Sequence, residues 1–528
     1  MRFPELCVLY FAMSLSAQTT FEELRDAPQT KGNWPTYSGS YNGWRYSPLD
    51  QIGTANADRL KVKWVYQMPT THKVETTPLV VDGVMYFTEP PSNVVAVDAA
   101  TGKRYWRYER VLPSRINVCC GQVNRGVAIL GDRVFVGTVD AHLVSLDART
   151  GAVLWDVKVA DYKTGHSITV APLAVKGMVV CGISGGEYGI RGFLDAYDAK
   201  TGKRLWRHWS IPEPGQPGGD SWTGNSWKTG GGPTWVTGSY DAAQNLIIWG
   251  TGNPSPDWNG DSRRGDNLYS DSAIALDADT GKMKWYFQFV PHDVHDWDAV
   301  QVPVLVDDEW EGRQRKLVYW AHRNAFFYVL DRETGKFLLG KPFATQTWAK
   351  GLDPNGRPIR MPNIDPTPEG TYLYPGVQGA TNWYSPSYSP KTGLFYLATW
   401  ENRGVYRKGE QEYSPGNRYI GSVPLIDLPD DPGHGAIRAI NPKTGDKVWE
   451  YRLHTKPWAG VLSTAGGLVF GGSDEGYLFA LDAQTGKEIW RMNAGGMIRA
   501  NPMTFLSNGK QVVAIAAGAS IFTFELGN

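Results

Sequence analysis

Short apolar runs along this chain end on an acid or amide, turn through a polar Thr-Gly pair, and resume at a bulky residue, usually tryptophan. The phrase reads "AVDAATGKRYW", "SLDARTGAVLW", "AYDAKTGKRLW", "ALDADTGKMKW", "VLDRETGKFLL", "AINPKTGDKVW" and "ALDAQTGKEIW". The apolar run predicts a strand. Asp-Ala-x-Thr-Gly-Lys predicts a hairpin turn whose glycine takes a positive φ, and the Trp four positions past Gly begins the next strand.

The glycines of these pairs stand at 102, 151, 202, 281, 335, 445 and 486, at intervals of 49, 51, 79, 54, 110 and 41 residues. Repeats of roughly 40–50 residues, built from short strands and tight turns, predict an all-β, eight-bladed β-propeller. The 110-residue interval has room for two blades. It holds a degenerate copy, "YSPKTGLFYLATW" at 388–400, which brings the seven clear copies to eight. "LKVKWVYQ" (60–67) and the terminal "SIFTFEL" are expected to pair and close the ring. Trp64, Trp106, Trp155, Trp206, Trp285, Trp449 and Trp490 read as aromatics docked between blades. Gly/Pro-rich insertions at 211–235 and 350–381 are expected to cover one face of the disc, and function concentrates on such loops.

Composition agrees with this picture. The 528 residues include 22 Trp, 26 Tyr, 60 Gly and 34 Pro, a turn-rich β signature that excludes disorder. Formal net charge is zero with no Lys/Arg run, which excludes nucleic acid as a partner. The start, "MRFPELCVLYFAMSLSAQTT", has Arg2, an apolar run over 6–15 and small residues near Ala17. It reads as a secretory signal over 1–17, leaving 18–528 as a single propeller domain in an oxidising compartment. The run is too short for stable membrane insertion. The alternative is a disordered start on a cytosolic protein. Cys181, in the apolar "GMVVCGI", reads as an inert core thiol.

Cys119 and Cys120 are adjacent in a chain of four cysteines. Neighbouring Cα atoms sit about 3.8 Å apart, whereas disulfides usually span roughly 4.4–6.8 Å, so such a pair bonds only through a strained backbone. Two reduced cysteines are the alternative. The pair opens a series outside the repeat: "CCGQVNRG" (119–126), "GISGGEYGIRG" (182–192), "GGGPTW" (230–235), "GTGNPSPDWNG" (250–260), "PHDVHDWD" (291–298), "HRNAFFYVLDRETG" (322–335), "GATNWYSPSYSP" (379–390) and "GVLSTAGGLVFGG" (460–472). In content and order it resembles the quinoprotein alcohol dehydrogenases, periplasmic eight-bladed enzymes that carry pyrroloquinoline quinone (PQQ) and a metal ion.

The resemblance implies a vicinal Cys119–Cys120 disulfide pressed on one face of PQQ, with Trp235 on the other. It assigns Arg125, Thr169, Ser184, Gly185 and Gly186 to the cofactor's acid groups, and Glu75, Arg323, Asn382 and Trp458 to its rim. It assigns Glu187, Asn253 and Asp296 to the metal, a hard-oxygen set suited to Ca²⁺. Asp298, two residues past Asp296, would add a third carboxylate and favour a lanthanide; alternation on an extended segment would aim both acids to one side. His292 and His295 read as residues that shape the pocket. The implied chemistry is oxidation of a small primary alcohol, with Asp296 taking the hydroxyl proton, Arg323 at the quinone oxygens and PQQ accepting the hydride. No C-x-x-C-H occurs, so electrons are expected to leave to a separate soluble cytochrome c or similar acceptor. A polyol or sugar dehydrogenase and a non-catalytic binding propeller are the rival readings; a homodimer stays open.

Overall fold

The structure is a computed structural model that describes residues 19–30, 32–422, 428 and 431–527. The expected signal over 1–17 lies outside the described residues. Eight blades, each with a four-stranded antiparallel core, form the disc: blades 1 to 7 span 79–108, 128–158, 173–209, 239–288, 304–342, 387–453 and 462–493. Blade 8 takes three strands from 503–526 and its outermost strand, Leu60–Gln67, from the other end of the chain. Trp64 faces Thr523 across that antiparallel seam, so the ring closes as the sequence predicts.

Each Thr-Gly phrase is the turn between the third and fourth strands of a blade. In blade 1, Asp98 Oδ1 accepts from the Thr101 N–H at 2.8 Å and from its hydroxyl at 3.0 Å, and Gly102 sits at φ +73°. The Trp that follows packs under the next blade's turn. Trp64, Trp106, Trp155, Trp206, Trp285 and Trp449 donate indole N–H bonds of 2.8–3.2 Å to Ala99, Ala148, Ala199, Ala278, Arg332 and Ala483 carbonyls. A Cβ on Gly151 would meet the Trp106 ring at 2.6 Å, so the glycine is required by the docked indole as well as by its φ of +73°.

Two expectations need correction. The 110-residue interval holds one blade, because 343–386 and 402–433 are excursions rather than strands of another. The degenerate copy at 388–400 is blade 6's own turn between first and second strands, Ser387–Ser389 and Leu394–Glu401. Blade 8 has no Thr-Gly turn, since its third and fourth strands come from opposite ends of the chain. Trp490 accordingly docks on Phe524, at 5.5 Å between ring centroids, without a turn carbonyl.

Antiparallel pairing alternates the connections between two faces. The first-to-second and third-to-fourth turns share one face. The second-to-third loops and the links between blades share the other.

Candidate functional site

The residues singled out by the motifs fall in second-to-third loops or inter-blade links, and so on one face. Glu75 lies in the link from blade 8 to blade 1, Cys119, Cys120 and Arg125 in the next link, and Thr169 in the one after. Ser184, Gly185 and Glu187 follow the second strand of blade 3, and Trp235 lies in the link to blade 4. Asp296 and Asp298 enter blade 5, Arg323 sits in its second-to-third loop, and Asn382 and Trp458 flank blade 6. All line one cavity of about 320 Å³ at the centre of the disc. Gly186 and Asn253 sit behind the wall, packed together: a Cβ on Gly186 would lie 3.6 Å from Asn253 Oδ1.

Cys119 and Cys120 form a disulfide across a Cα separation of 3.8 Å, with Cys120 at φ +68°. A non-glycine residue in that region is strained and persists only where its surroundings hold it. The two sulfurs lie within 4.8 Å of a Glu187 carboxylate oxygen. Bonded to each other they offer no thiolate, so this trio is not a metal set. Cys181 is buried and free, as expected.

The cavity is electrically divided. On the side of blades 8, 1 and 2, the Arg125 guanidinium contacts Glu75 at 2.7 Å and the Thr169 hydroxyl at 2.9 Å. It lies over the Trp235 and Trp383 rings at 4.8 and 4.6 Å. Thr169 in turn bonds the Ser184 hydroxyl at 2.8 Å. Burial pushes the Glu75 carboxyl up against the pull of Arg125. Lys73 and Arg499 line the same side.

The opposite side is acidic. Arg323 contacts an Asp298 carboxylate oxygen directly and lies 3.6 Å from Asp296, while the Asn253 backbone N–H donates to the other Asp298 oxygen at 2.8 Å. Burial, reinforced by repulsion from Asp298, lifts the Glu187 carboxyl to about 7. Asp296 is raised well above the ordinary range, chiefly by burial and against Arg323. Asp257 is raised likewise, by burial and by Glu187. Glu187, Asp257, Asp296 and Asp298 crowd together here, Arg323 lies against Asp296 and Asp298, and one Asp257 oxygen is buried without a hydrogen-bond partner. Hard carboxylate oxygens crowded at one place suit a hard, highly charged cation. A flat polyacid with a chelating edge matches the cavity's division into basic and acidic sides.

Asp296 and Asp298 both reach the cavity, but not by strand alternation, since Asp296 takes a left-handed φ of +60°. The histidines hold the loop. His295 stacks on Trp297 at 4.5 Å and bonds the Ile364 carbonyl at 2.9 Å, and His292 bonds the Gly265 carbonyl at 2.9 Å. Sequence reasoning missed Lys73, Ser167, Asp257, Gln378, Trp383 and Arg499. Lys73 and Ser167 stand two residues before Glu75 and Thr169, a period-2 signal that points to the same side. Trp383 adjoins Asn382. Asp257 and Arg499 carry no such signal.

The family model described as "PQQ: Glucose/ethanol/alcohol dehydrogenase, beta-propeller domain" matches residues 34–340. A second, described as "Outer membrane protein assembly factor BamB", matches 433–527. The chain is 39% identical to the quinoprotein alcohol dehydrogenase PedH of Pseudomonas putida, over 97% of this chain and 90% of that protein. It is 37% identical to the lanthanide-dependent methanol dehydrogenase of Methylacidiphilum fumariolicum, over 96% and 88%. A solved europium-containing methanol dehydrogenase superposes with a TM-score of 0.89 at 34% identity, over 96% of this chain and 100% of that one. The quinohemoprotein alcohol dehydrogenase of Comamonas testosteroni superposes at 0.91 with 35% identity, over 97% and 84%. The chain belongs to the PQQ-dependent quinoprotein alcohol dehydrogenases, a family of oxidoreductases.

Proposed function

We propose that this chain oxidises a small primary alcohol to its aldehyde, with PQQ in the central cavity and a hard cation in the acidic side. The observation that carries the reading is the convergence on one cavity of the vicinal disulfide, Trp235, Arg323 and the acids Glu187, Asp296 and Asp298. The disulfide and Trp235 would clamp the flat ring, with Arg125, Thr169, Ser184 and Gly185 toward its acid groups and Glu75, Asn382 and Trp458 at its rim. Glu187, Asp296 and Asp298 would hold the cation, with Asn253 and Gly186 fixing the wall behind them. Three carboxylates match a trivalent lanthanide better than Ca²⁺, and Asp257 adds a fourth charge nearby.

When bound, PQQ supplies a carbonyl carbon that accepts hydride from the alcohol. The protein's part is the proton. Asp296 would take it from the hydroxyl, which requires an ionised carboxylate: Arg323 at 3.6 Å favours that form, and the cation's charge would oppose the burial and the neighbouring acids that raise Asp296. Arg323 is itself fixed by Asp298 and by a 2.6 Å bond to the Val377 carbonyl, so its charge is oriented in advance. Electrons then pass to a separate cytochrome c-type acceptor in the periplasm. No helix among the described residues is long and apolar enough to cross a membrane.

The test is reconstitution with PQQ and either La³⁺ or Ca²⁺, followed by dye-linked oxidation of ethanol and of glucose. Ethanol turnover exceeding glucose turnover is expected. Preference for glucose would move the assignment to sugars, and failure to retain quinone absorbance would end it.

A further inference from the structure

Charge balance in the cavity raises a question that the motif residues leave unanswered. A tricarboxylic acid needs more than one cation with capacity to spare. Arg125 is already neutralised by Glu75 at 2.7 Å, and Arg323 is engaged by Asp298 and Asp296. Two other cations line the same cavity. Lys73 has its ammonium 3.1 Å from the Cys120 carbonyl, and no carboxylate lies within 4.0 Å of it among the described residues. Arg499 lies 3.6 Å from Asp474, donates to the Met497 sulfur at 3.4 Å and lies over the Trp458 ring at 5.4 Å, its side chain 18% exposed. Lys73 stands two residues before Glu75 in the link from blade 8 to blade 1, and Arg499 lies in the neighbouring link from blade 7 to blade 8.

We infer that Arg499 and Lys73 are further binding residues for the acid groups of the cofactor, supplying the net positive charge that Arg125 cannot. The inference rests on the proposed PQQ site. Arg125, paired with Glu75, lies over the Trp235 and Trp383 rings. Arg499, held over Trp458 but only loosely paired, keeps donors available for a carboxylate at little cost in ordering. Lys73 donates to the Cys120 carbonyl, so a carboxylate on it would also tie the Cys119–Cys120 loop to the cofactor.

The experiment is PQQ uptake by the purified full chain with La³⁺ present, followed by tryptophan-fluorescence quenching and by equilibrium dialysis across a salt series. Arg499→Met and Lys73→Met are each expected to weaken PQQ binding roughly 10- to 100-fold and to flatten its salt dependence. Arg499→Lys should recover part of the loss, and thermal unfolding without PQQ should be unchanged. Failure of the wild type to bind PQQ would sink the cofactor reading and this inference with it. Wild-type binding with both Met variants equally tight would sink this inference alone. Arg499→Met that unfolds at lower temperature, with affinity restored by Asp474→Asn, would show a structural role instead.

Discussion

The two faces of the disc are built on opposite terms. On one, Thr-Gly turns recur seven times with nearly the same hydrogen bonds, and six indoles each satisfy a carbonyl of the next blade. On the other, few local contacts repeat. Charges are buried in unequal numbers, and Cys120 and Asp296 hold left-handed conformations that side chains disfavour. The turn face distributes its stabilising contacts around the ring. The loop face concentrates unfavourable charge and strain at one point, which is where binding energy from a cation and an acid can be recovered. Mutations should therefore separate cleanly, costing function on one face and stability on the other.

Asp296→Asn is the sharpest separation. Asparagine keeps the shape and tolerates the φ of +60°, while removing the base and one of the crowded carboxylates. Alcohol oxidation in the reconstituted enzyme should fall roughly 10²–10⁴-fold, while the melting temperature of the cofactor-free chain holds or rises. A parallel drop in melting temperature would break the contrast. Asp298→Ala is a smaller step on the same face. It frees Arg323 and removes one charge, so lanthanide-supported turnover should fall roughly 10–100-fold further than calcium-supported turnover. Equal losses with both ions would refute the charge argument.

On the turn face the expected signs reverse. Trp106→Ala leaves a void between blades 1 and 2 and removes one of the two donors to the Ala148 carbonyl, the Tyr86 hydroxyl remaining, a loss of about 3–5 kcal/mol. Gly151→Ala forces a Cβ to within 2.6 Å of the same indole at a φ of +73° and should destabilise by overpacking and backbone strain, but less, as the ring can shift. Calorimetry should show both losses, while PQQ affinity of the folded fraction is retained. A change in affinity from Trp106→Ala would mean that the faces communicate.

The contrast also explains what could be read in advance. The turn face is written in local periodicity, so strands, turns, Trp docking and the closing strand Leu60–Gln67 were all visible in the sequence. The misreading of Thr392-Gly393 arose because first-to-second and third-to-fourth hairpins make the same chemical demand on a turn, so the turn's sequence is the same in both. The loop face was legible only through motif resemblance. Ser167 and Lys73 could have been found from alternation with Thr169 and Glu75. Asp257 and Arg499 could not, because their neighbours come from other blades: Asp257, in blade 4, is raised by Glu187 of blade 3, and Arg499, past blade 7, lines the same cavity as Glu75, which precedes blade 1. The expected alternation of Asp296 and Asp298 failed since a left-handed residue, not a strand, turns them together.

The smallest effect expected lies between the faces, on blade 3. His208 sits in its outer strand, Arg204–Trp209, and burial holds its imidazole neutral, with the pKa lowered to about 4. His166 is lowered to about 4 by burial and by Arg207. An imidazole free in the unfolded chain titrates near 6.5. The folded values lie below that, so the unfolded state binds more protons between these limits. The stability contributed by neutral burial is therefore complete above pH 6.5 and is lost as the pH falls from 6.5 toward 4, by at most roughly 1.4 kcal/mol per pH unit for each ring. His208→Gln should flatten the fall of the melting temperature over that window, leaving its value at pH 8 little changed. An identical slope in wild type and variant would show that acid sensitivity originates elsewhere, in the carboxylates of the loop face.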